Sequence, residues 1–341
     1  MVFLSFCITF APEMDFTNTI LRWYAAEGRA LPWRETKDAY AIWLSEIILQ
    51  QTRARQGQPY WERFMRRWPT VEALAEATED EVLRAWQGLG YYGRARRLLL
   101  AARQVVERGA FPDTLEGIKA LQGVGDYTAA AVGSMAFGLP VAAVDGNVYR
   151  VLARHFGVAT PIDSGEGRRE FRALAQRLLP ADRASDFNQA MMDFGAMQCT
   201  PLGPQCGECP LQDTCVAWRE GRVAELPVKG RRTKTRERRM TYVYIRHDGR
   251  TAIRRRPEGD IWQGLYEPWL TDTVPAGAVL LRQNVRHELT HRVIYADFWL
   301  WQPEGRRPVL PTDYFWINES EIDNYGVPRL VEKLLEALWK E

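Results

Sequence analysis

The sequence predicts a mainly α-helical chain that ends in a smaller α+β domain. Three observations predict it. From residues 15 to 218 apolar side chains recur at three- and four-residue intervals, segment after segment. From Met240 the pattern turns to strands, with Thr241 to Arg246 read as alternating. Between the two, residues 222–239 form a charged stretch with few apolar residues. A period near 3.6 argues helix and a period of two argues strand. At 341 residues the chain can bury two separate cores. Its hydrophobic fraction of 46% is that of an ordinary globular protein. No run approaches the roughly 20 apolar residues of a membrane span, so no membrane role is expected.

Taken in order, Met1 to Phe10 is apolar but lacks a basic leading segment and a small-residue cleavage site, which argues against a signal peptide. Residues 1–14 read as a non-native or disordered extension, with Met14 as the start. A reducing, cytoplasmic compartment is expected. Helices are predicted over Tyr40 to Gln51, Tyr60 to Trp68, Glu79 to Gln87, Arg94 to Arg108, Thr128 to Phe137 and Phe187 to Met197. Gly, Pro and capping Asp or Thr residues punctuate them. The helical domain is placed at 15–221, a basic connector at 222–239 and the sheet domain at 240–341. In the last, Thr241 to Arg246 is expected to pair with Thr251 to Ile253 across the His247–Gly249 turn. Val293 to Trp301 is another strand candidate, and Pro328 to Leu338 a closing helix.

Net charge is only +2, and its distribution says more. Residues 222–256 hold thirteen Lys or Arg against three acidic residues, a local +10 that leaves −8 elsewhere. Such a stretch tracks phosphate or is a solvated linker, and charge alone does not choose.

Four of the five cysteines fall in one loop, as Cys199, Cys206, Cys209 and Cys215. Thiolates this close are stabilised only by a shared cation or by disulfides. A disulfide framework is disfavoured, because one cysteine is left over and no secretory signal is visible. Zinc usually takes two C-x2-C knuckles or added histidines. Here there is one knuckle, and all four histidines lie outside the loop. Four thiolates are the ligand set of an iron–sulfur cube, and a [4Fe-4S] cluster is expected, with zinc as the alternative. Pro201, Gly203, Pro204, Gly207 and Pro210 make the segment a turn-rich loop.

Residues 121–131 read Leu-Gln-Gly-Val-Gly-Asp-Tyr-Thr-Ala-Ala-Ala. Gly123, Val124 and Gly125 would make a tight hairpin whose outward N–H groups suit a nucleic-acid phosphate. Glu46 sits among Ile42, Trp43, Leu49 and Gln50 on a largely apolar helix face. Burial there would raise its pKa and keep it able to donate a proton near neutrality; a solvent-facing or ion-paired glutamate is the alternative. Asp145 precedes Gly-Asn-Val-Tyr-Arg and is placed to cap a helix beginning at Gly146.

These features together resemble the endonuclease III superfamily of DNA glycosylases. Trp-Leu-Ser-Glu (43–46), Leu-Gln-Gln-Thr (49–52) and Gly-Leu-Gly-Tyr-Tyr (88–92) resemble its MutY-type adenine DNA glycosylases. The match is strong over residues 15–218 and weak over 240–341. It implies a two-lobed helix-hairpin-helix glycosylase domain with an iron–sulfur cluster loop, then a small Nudix-like α+β domain. The implied activity is excision of adenine from double-stranded DNA where it is mispaired with 8-oxoguanine or guanine. In this resemblance Glu46 protonates the adenine at N7, Asp145 stabilises the cationic sugar and Asn147 orients Asp145. Tyr127 stands where strand-cutting relatives carry lysine, which implies a monofunctional hydrolase, since tyrosine forms no imine. Gln50, Gln51, Leu89 and Tyr91 would separate the strands, with Leu89 equally explicable as core. Gln189 would reach the edge of the extruded base, with Arg34 beside it. Asp-Ile-Trp-Gln-Gly-Leu-Tyr-Glu-Pro (260–268) resembles a Nudix segment without its metal-binding acidic pairs. Leu289, Thr290 and His291 align with a Phe-Ser-His loop that reads 8-oxoguanine, so Thr290 and His291 are the candidates. Leucine in place of phenylalanine puts the stacking contact in doubt, and the preceding segment is short enough to lack a helix. A monomer is expected, with clamp or mismatch-repair partners attaching at the connector.

Overall fold

The computed structural model describes residues 10–230, 235–289 and 291–339. The helices are α1 (Phe10–Glu27), α2 (Ala39–Leu49), α3 (Ala54–Arg67), α4 (Val71–Glu76), α5 (Glu79–Trp86), α6 (Gly93–Arg108), α7 (Leu115–Lys119), α8 (Asp126–Phe137), α9 (Gly146–Phe156), α10 (Gly165–Leu178), α11 (Ala184–Met197) and α12 (Val216–Arg219). The strands follow as β1 (Arg236–Ile245), β2 (Arg250–Arg255), β3 (Tyr266–Leu270), β4 (Val279–Leu289), β5 (Arg292–Trp301) and β6 (Tyr314–Asn318), before helix α13 (Arg329–Leu338). All six predicted helices and the closing one are present. Of the expected 1–14 extension, Phe10 to Met14 are helical and the first nine residues lie outside the described set.

The chain forms two compact units, residues 1–50 with 104–232 and residues 51–103 with 233–341. In the first, α2 packs on α8, while α11 packs on α1, α8 and α9. Helix α2 is buried continuously from Tyr40 to Ile48, as a helix apolar around its whole circumference must be. Asp38 caps it by accepting from the Tyr40 amide at 3.0 Å. On α11, Gly195 permits a close approach: a Cβ there would stand 2.6 Å from the Asn147 Cβ at the start of α9.

In the second unit a six-stranded sheet has the order β4-β5-β1-β3-β2-β6. Only β1 and β5 run parallel. Alternation along β1 sends Met240, Tyr242 and Tyr244 to the face covered by Leu330, Val331 and Leu334 of α13. Val243 and Ile245 point to the other face, against Trp269, Trp299, Trp301 and Trp316. The expected hairpin of β1 with β2 is corrected. These strands meet only at the His247–Arg250 bridge, and β3 inserts between them, pairing with both. The turn forms as expected, but the strands diverge after it. No helix lies between β3 and β4, in agreement with the short segment there.

A charged group lies at the heart of this sheet. Glu267 is fully buried and accepts from the Tyr242 hydroxyl at 3.0 Å and the Arg254 Nε at 2.9 Å, and it pairs with the buried Arg256. Removing Glu267 takes a buried partner from both Arg254 and Arg256, which keep the more exposed Asp313 and Asp260. Glu267→Ala should therefore lower stability by about 3–5 kcal/mol, read as a shift in the denaturation midpoint of the full chain. A change below about 1 kcal/mol would show that Asp313 and Asp260 hold the two guanidiniums without it.

Candidate active site

Three helices of the first unit bring Glu46, Tyr127 and Asp145 together. Glu46, on α2, is only 6% exposed, which rules out the solvent-facing alternative. Burial raises its pKa to about 7, the nearby Asp145 charge adds to the rise, and a hydrogen bond with Tyr127 and the charge of Arg34 oppose it. The Tyr127 phenol is pushed well above its ordinary value by burial and by the two carboxyls, so it remains a neutral donor. Its hydroxyl also lies 3.5 Å from the Met192 sulfur on α11.

Asp145 is the N-cap of α9. One oxygen accepts from the backbone amides of Asn147 at 2.9 Å and Val148 at 2.8 Å, and the other accepts from the Asn147 Nδ2 at 2.8 Å. Burial raises its pKa, and these three donors oppose the rise by favouring the ionised form. Asn147 is in turn fixed by Arg150, whose Nη2 donates to the Asn147 Oδ1 at 2.9 Å and to the Gly195 carbonyl at 2.5 Å. The Nε of the same guanidinium donates to the Cys199 carbonyl at 2.7 Å.

Gln189 and Arg34 lie nearby but are already engaged. Gln189 is 8% exposed, with its Oε1 accepting from the Tyr24 hydroxyl at 3.2 Å and its Nε2 donating to the Ser185 Oγ at 3.0 Å. Arg34 makes a bidentate pair with Asp193 at 2.7 and 2.8 Å. Arg29 pairs with the same carboxylate. Burial alone would raise Asp193, but the two guanidiniums outweigh it and hold the group below the usual range. Sequence reasoning missed Tyr24, Arg29, Asp193, Met192, Arg150 and Gly195. One signal was available: Asp193 lies four residues after Gln189 in an otherwise apolar run, hence on the same helix face.

At the hairpin, Gly123 takes a left-handed φ of +78°, and the Val124 amide closes the turn on the Leu121 carbonyl at 3.1 Å. That amide is spent within the loop, and the Val124 side chain is buried. Gly125 is the N-cap of α8 without a side-chain cap, and a Cβ there would meet open space. Lys119 and Arg172 both pair with Asp126 beside it. Gln50 donates from its amide to the Thr128 hydroxyl at 3.2 Å.

The four loop cysteines are free and partly exposed. Burial raises Cys206, Cys209 (to about 11) and Cys215, and each is raised further by neighbouring thiol charge. Turns closed by the Cys209 amide on the Cys206 carbonyl and the Cys215 amide on the Gln212 carbonyl wrap the loop inward. Arg154 reaches the Cys199 Sγ at 3.5 Å and the Thr200 carbonyl at 2.7 Å. Among the described residues no three His, Cys, Asp or Glu side chains are close enough to share one metal ion. A set of four thiols with adjacent cationic donors fits a polynuclear anionic group, in which each metal takes one thiolate.

In the second unit Gln51 and Tyr91 adopt left-handed φ values of +60° and +48°, costly for residues with side chains. Tyr91 is half exposed, whereas Leu89 is buried at 7%. His291 is exposed at the turn between β4 and β5, and Leu289 packs inward on the core beneath α13. Thr290 lies outside the described residues.

Residues 44–179 match the family described as HhH-GPD superfamily base excision DNA repair protein, and residues 241–337 match the NUDIX domain. An adenine DNA glycosylase of Buchnera aphidicola subsp. Schizaphis graminum is 33% identical over 339 residues, covering 94% of this chain and 98% of that protein. The human adenine DNA glycosylase is 44% identical over 213 residues, which is 59% of this chain and 39% of its own length. Among solved structures, a thermostable thymine-DNA glycosylase gives a TM-score of 0.58 at 32% identity, over 62% of this chain and 99% of that one. A non-covalent endonuclease III–DNA complex gives 0.54 at 21% identity, over 61% and 97%, a likeness of fold. With one such relative aligned almost end to end, the chain belongs to the adenine DNA glycosylase family of base-excision-repair enzymes.

Proposed function

We propose that the chain is a monofunctional hydrolase that removes adenine mispaired with 8-oxoguanine, and with guanine less well. The observation that carries this reading is Glu46, a buried carboxyl with a pKa near 7 within hydrogen-bond reach of a neutral tyrosine. It donates its proton to adenine N7, and the electron pair of the glycosidic bond leaves with the neutral base. The Asp145 carboxylate faces the cationic sugar, as glycosidic cleavage asks of its second carboxyl. The Glu46 carboxylate then takes a proton from the attacking water, which restores the starting state. Tyrosine at position 127 offers no amine for an imine at that place, and Lys119, before the hairpin, is paired to Asp126. Gln189 reads the base edge, and Arg34 braces that pocket through Asp193.

Within the same reading Tyr91 and the Gln50–Gln51 pair fill the vacated stack, with Leu89 as support beneath. The Gly123–Gly125 hairpin meets backbone phosphate, and Thr290 and His291 read the opposite base. Cys199, Cys206, Cys209 and Cys215 would hold a [4Fe-4S] cluster, and its thiolate bonds would tie the turns of the loop together. Residues 15–221 are assigned as the glycosylase domain and 240–341 as the reader, joined by a connector open to clamp or mismatch-repair partners. The protein would act as a monomer in the cytoplasm, associated with the nucleoid if its source is bacterial.

The test is incubation with A:8-oxoguanine, A:G and T:G duplexes, with and without alkali and borohydride. Alkali-dependent cleavage at adenine, without borohydride trapping, is expected. Excision of thymine would transfer the chain to the activity named for its thermostable structural neighbour. No excision at all would leave a cluster-bearing DNA-binding protein.

Glu46→Gln should slow excision by ~10²–10⁴-fold with mismatch binding retained, since shape is kept and the proton donor is lost. In the wild type, single-turnover excision should fall as pH rises through about 7. A rate that stays flat across that range would remove Glu46 from the acid role.

Stability should follow the same group. Its pKa rises from 4.5 to about 7 on folding, so between those values the folded protein binds more protons than the unfolded chain. Its contribution is full below 4.5 and is lost as pH rises through about 7. Glu46→Gln should therefore gain on the wild type by up to about 3 kcal/mol as pH rises across that window. Parallel melting curves at both ends would show that Glu46 does not titrate there.

Anaerobically purified protein should carry about four iron atoms per chain, and Cys209→Ser should lose them. Stoichiometric zinc without iron would replace the cluster by the zinc alternative.

A further inference from the structure

The segment Gln87–Tyr92, between α5 and α6, is held in an unusual shape. Gly88 and Gly90 have φ of +97° and +71°, and Tyr91 follows at +48°. Three left-handed residues in four leave little regular hydrogen bonding, so neighbours must fix the loop. Local ones do part of this: the Trp86 Nε1 donates to the Gly90 carbonyl at 3.0 Å, and the Tyr60 hydroxyl donates to the Gln87 carbonyl at 2.9 Å. Arg94 lies over both the Trp86 and Tyr91 rings. Its Nη2 donates to the Leu89 and Gly90 carbonyls at 3.4 and 3.3 Å.

Two further anchors come from residues 327–332. The Gln87 Nε2 donates to the Glu332 Oε1 at 2.6 Å, across 245 residues of sequence. The Tyr92 hydroxyl donates to the Val327 carbonyl at 3.5 Å. Glu332 is on the first turn of α13, its side chain 16% exposed, and its other oxygen accepts from Arg329 at 2.6 Å. It borders a polar cavity of about 610 Å³ shared with Tyr60, Arg63, Arg84 and Gln87. A hydrogen bond to an ionised acceptor is the stronger kind, and this one grips the residue at which the loop leaves α5.

We propose that Glu332 is a positioning residue for base extrusion: through Gln87 it sets the pose of the loop that presents Tyr91. The proposal rests on the reading of Tyr91 as a strand-separating side chain. It makes the closing helix of the reader domain part of the extrusion apparatus, so that the C-terminal segment contributes to the rate of opening as well as to recognition.

The experiment is stopped-flow fluorescence of 2-aminopurine placed at the target position opposite guanine, with single-turnover excision of adenine measured alongside. Glu332→Leu should slow the extrusion phase about tenfold, the scale of a lost charge-assisted hydrogen bond. Glu332→Gln, which keeps an acceptor oxygen, should restore most of the rate. Gln87→Leu breaks the same bond from the other side and should match Glu332→Leu, which guards against a folding defect in α13. The decisive arm is non-additivity: Tyr91→Ala with Glu332→Leu should be no slower than Tyr91→Ala alone. A normal extrusion rate in Glu332→Leu beside a slow Tyr91→Ala would overturn the proposal and leave the Tyr91 reading standing. Additive slowing would overturn it too, by showing that Glu332 acts elsewhere. A normal rate in Tyr91→Ala would remove both.

Discussion

The constraint on which the site depends is the burial of a single carboxyl on an otherwise apolar helix. Helix α2 is enclosed on all sides, and Glu46 goes into that enclosure with it. A buried carboxylate is costly, so the group shifts its pKa and remains neutral more readily. What it then needs is a hydrogen-bond partner, and Tyr127 supplies one from α8. Helix α8 can lie against α2 because Thr128, Ala129, Ala130 and Ala131 are small and buried. The alanine run next to the hairpin is therefore also what brings the phenol to the acid.

The second carboxyl has more donors around it. Asp145 is also buried, but it receives two backbone amides and a side-chain amide, and these donors favour its charge. Their geometry depends on the start of α9, which is clamped by Gly195 from α11 and by Arg150 from its own next turn. Arg150 spans three anchors, the Asn147 side chain and the carbonyls of Gly195 and Cys199. The cysteine loop and the capped aspartate thus share one guanidinium, and disorder in the first would loosen the second. The two carboxyls are thus held in unlike environments within one small region: burial raises both, and the three donors around Asp145 offset part of its rise.

Much of the helical part was legible because its signals are local. Periodicity, the Asp38 and Asp145 caps and the Gly-Val-Gly turn each reside in a few neighbouring residues. The Glu46 environment was legible for the same reason, since its helix carries its own apolar ring. What stayed hidden depends on residues distant in sequence. Nothing local reveals that Arg34 is spent on Asp193, or that Gln189 is braced by Tyr24. Nor does alternation reveal register or neighbours: β1 and β2 each read as strands with a turn between, and β3 took the place between them. Leu89 illustrates the same limit, because its burial follows from packing in a unit that its own neighbours do not specify.

In the C-terminal sheet an edge strand is confined by the core behind it. Strand β4 is at the sheet edge and, across register shifts between Leu280 and Val285, turns Leu281, Val285 and Leu289 toward the core beneath α13. Leu289 is one of those, packed inward on the cluster that includes Leu334 and Phe298. The part of Leu289 that rests on that cluster is closed to other contacts, while its remainder is open. Beyond it is the turn where His291 is exposed and its carbonyl holds the Arg236 amide at 3.0 Å. That bond ties the turn to the beginning of β1, the strand that emerges from the basic connector. The turn is thereby fixed to the start of β1, and its pose follows from the parallel β1–β5 pairing.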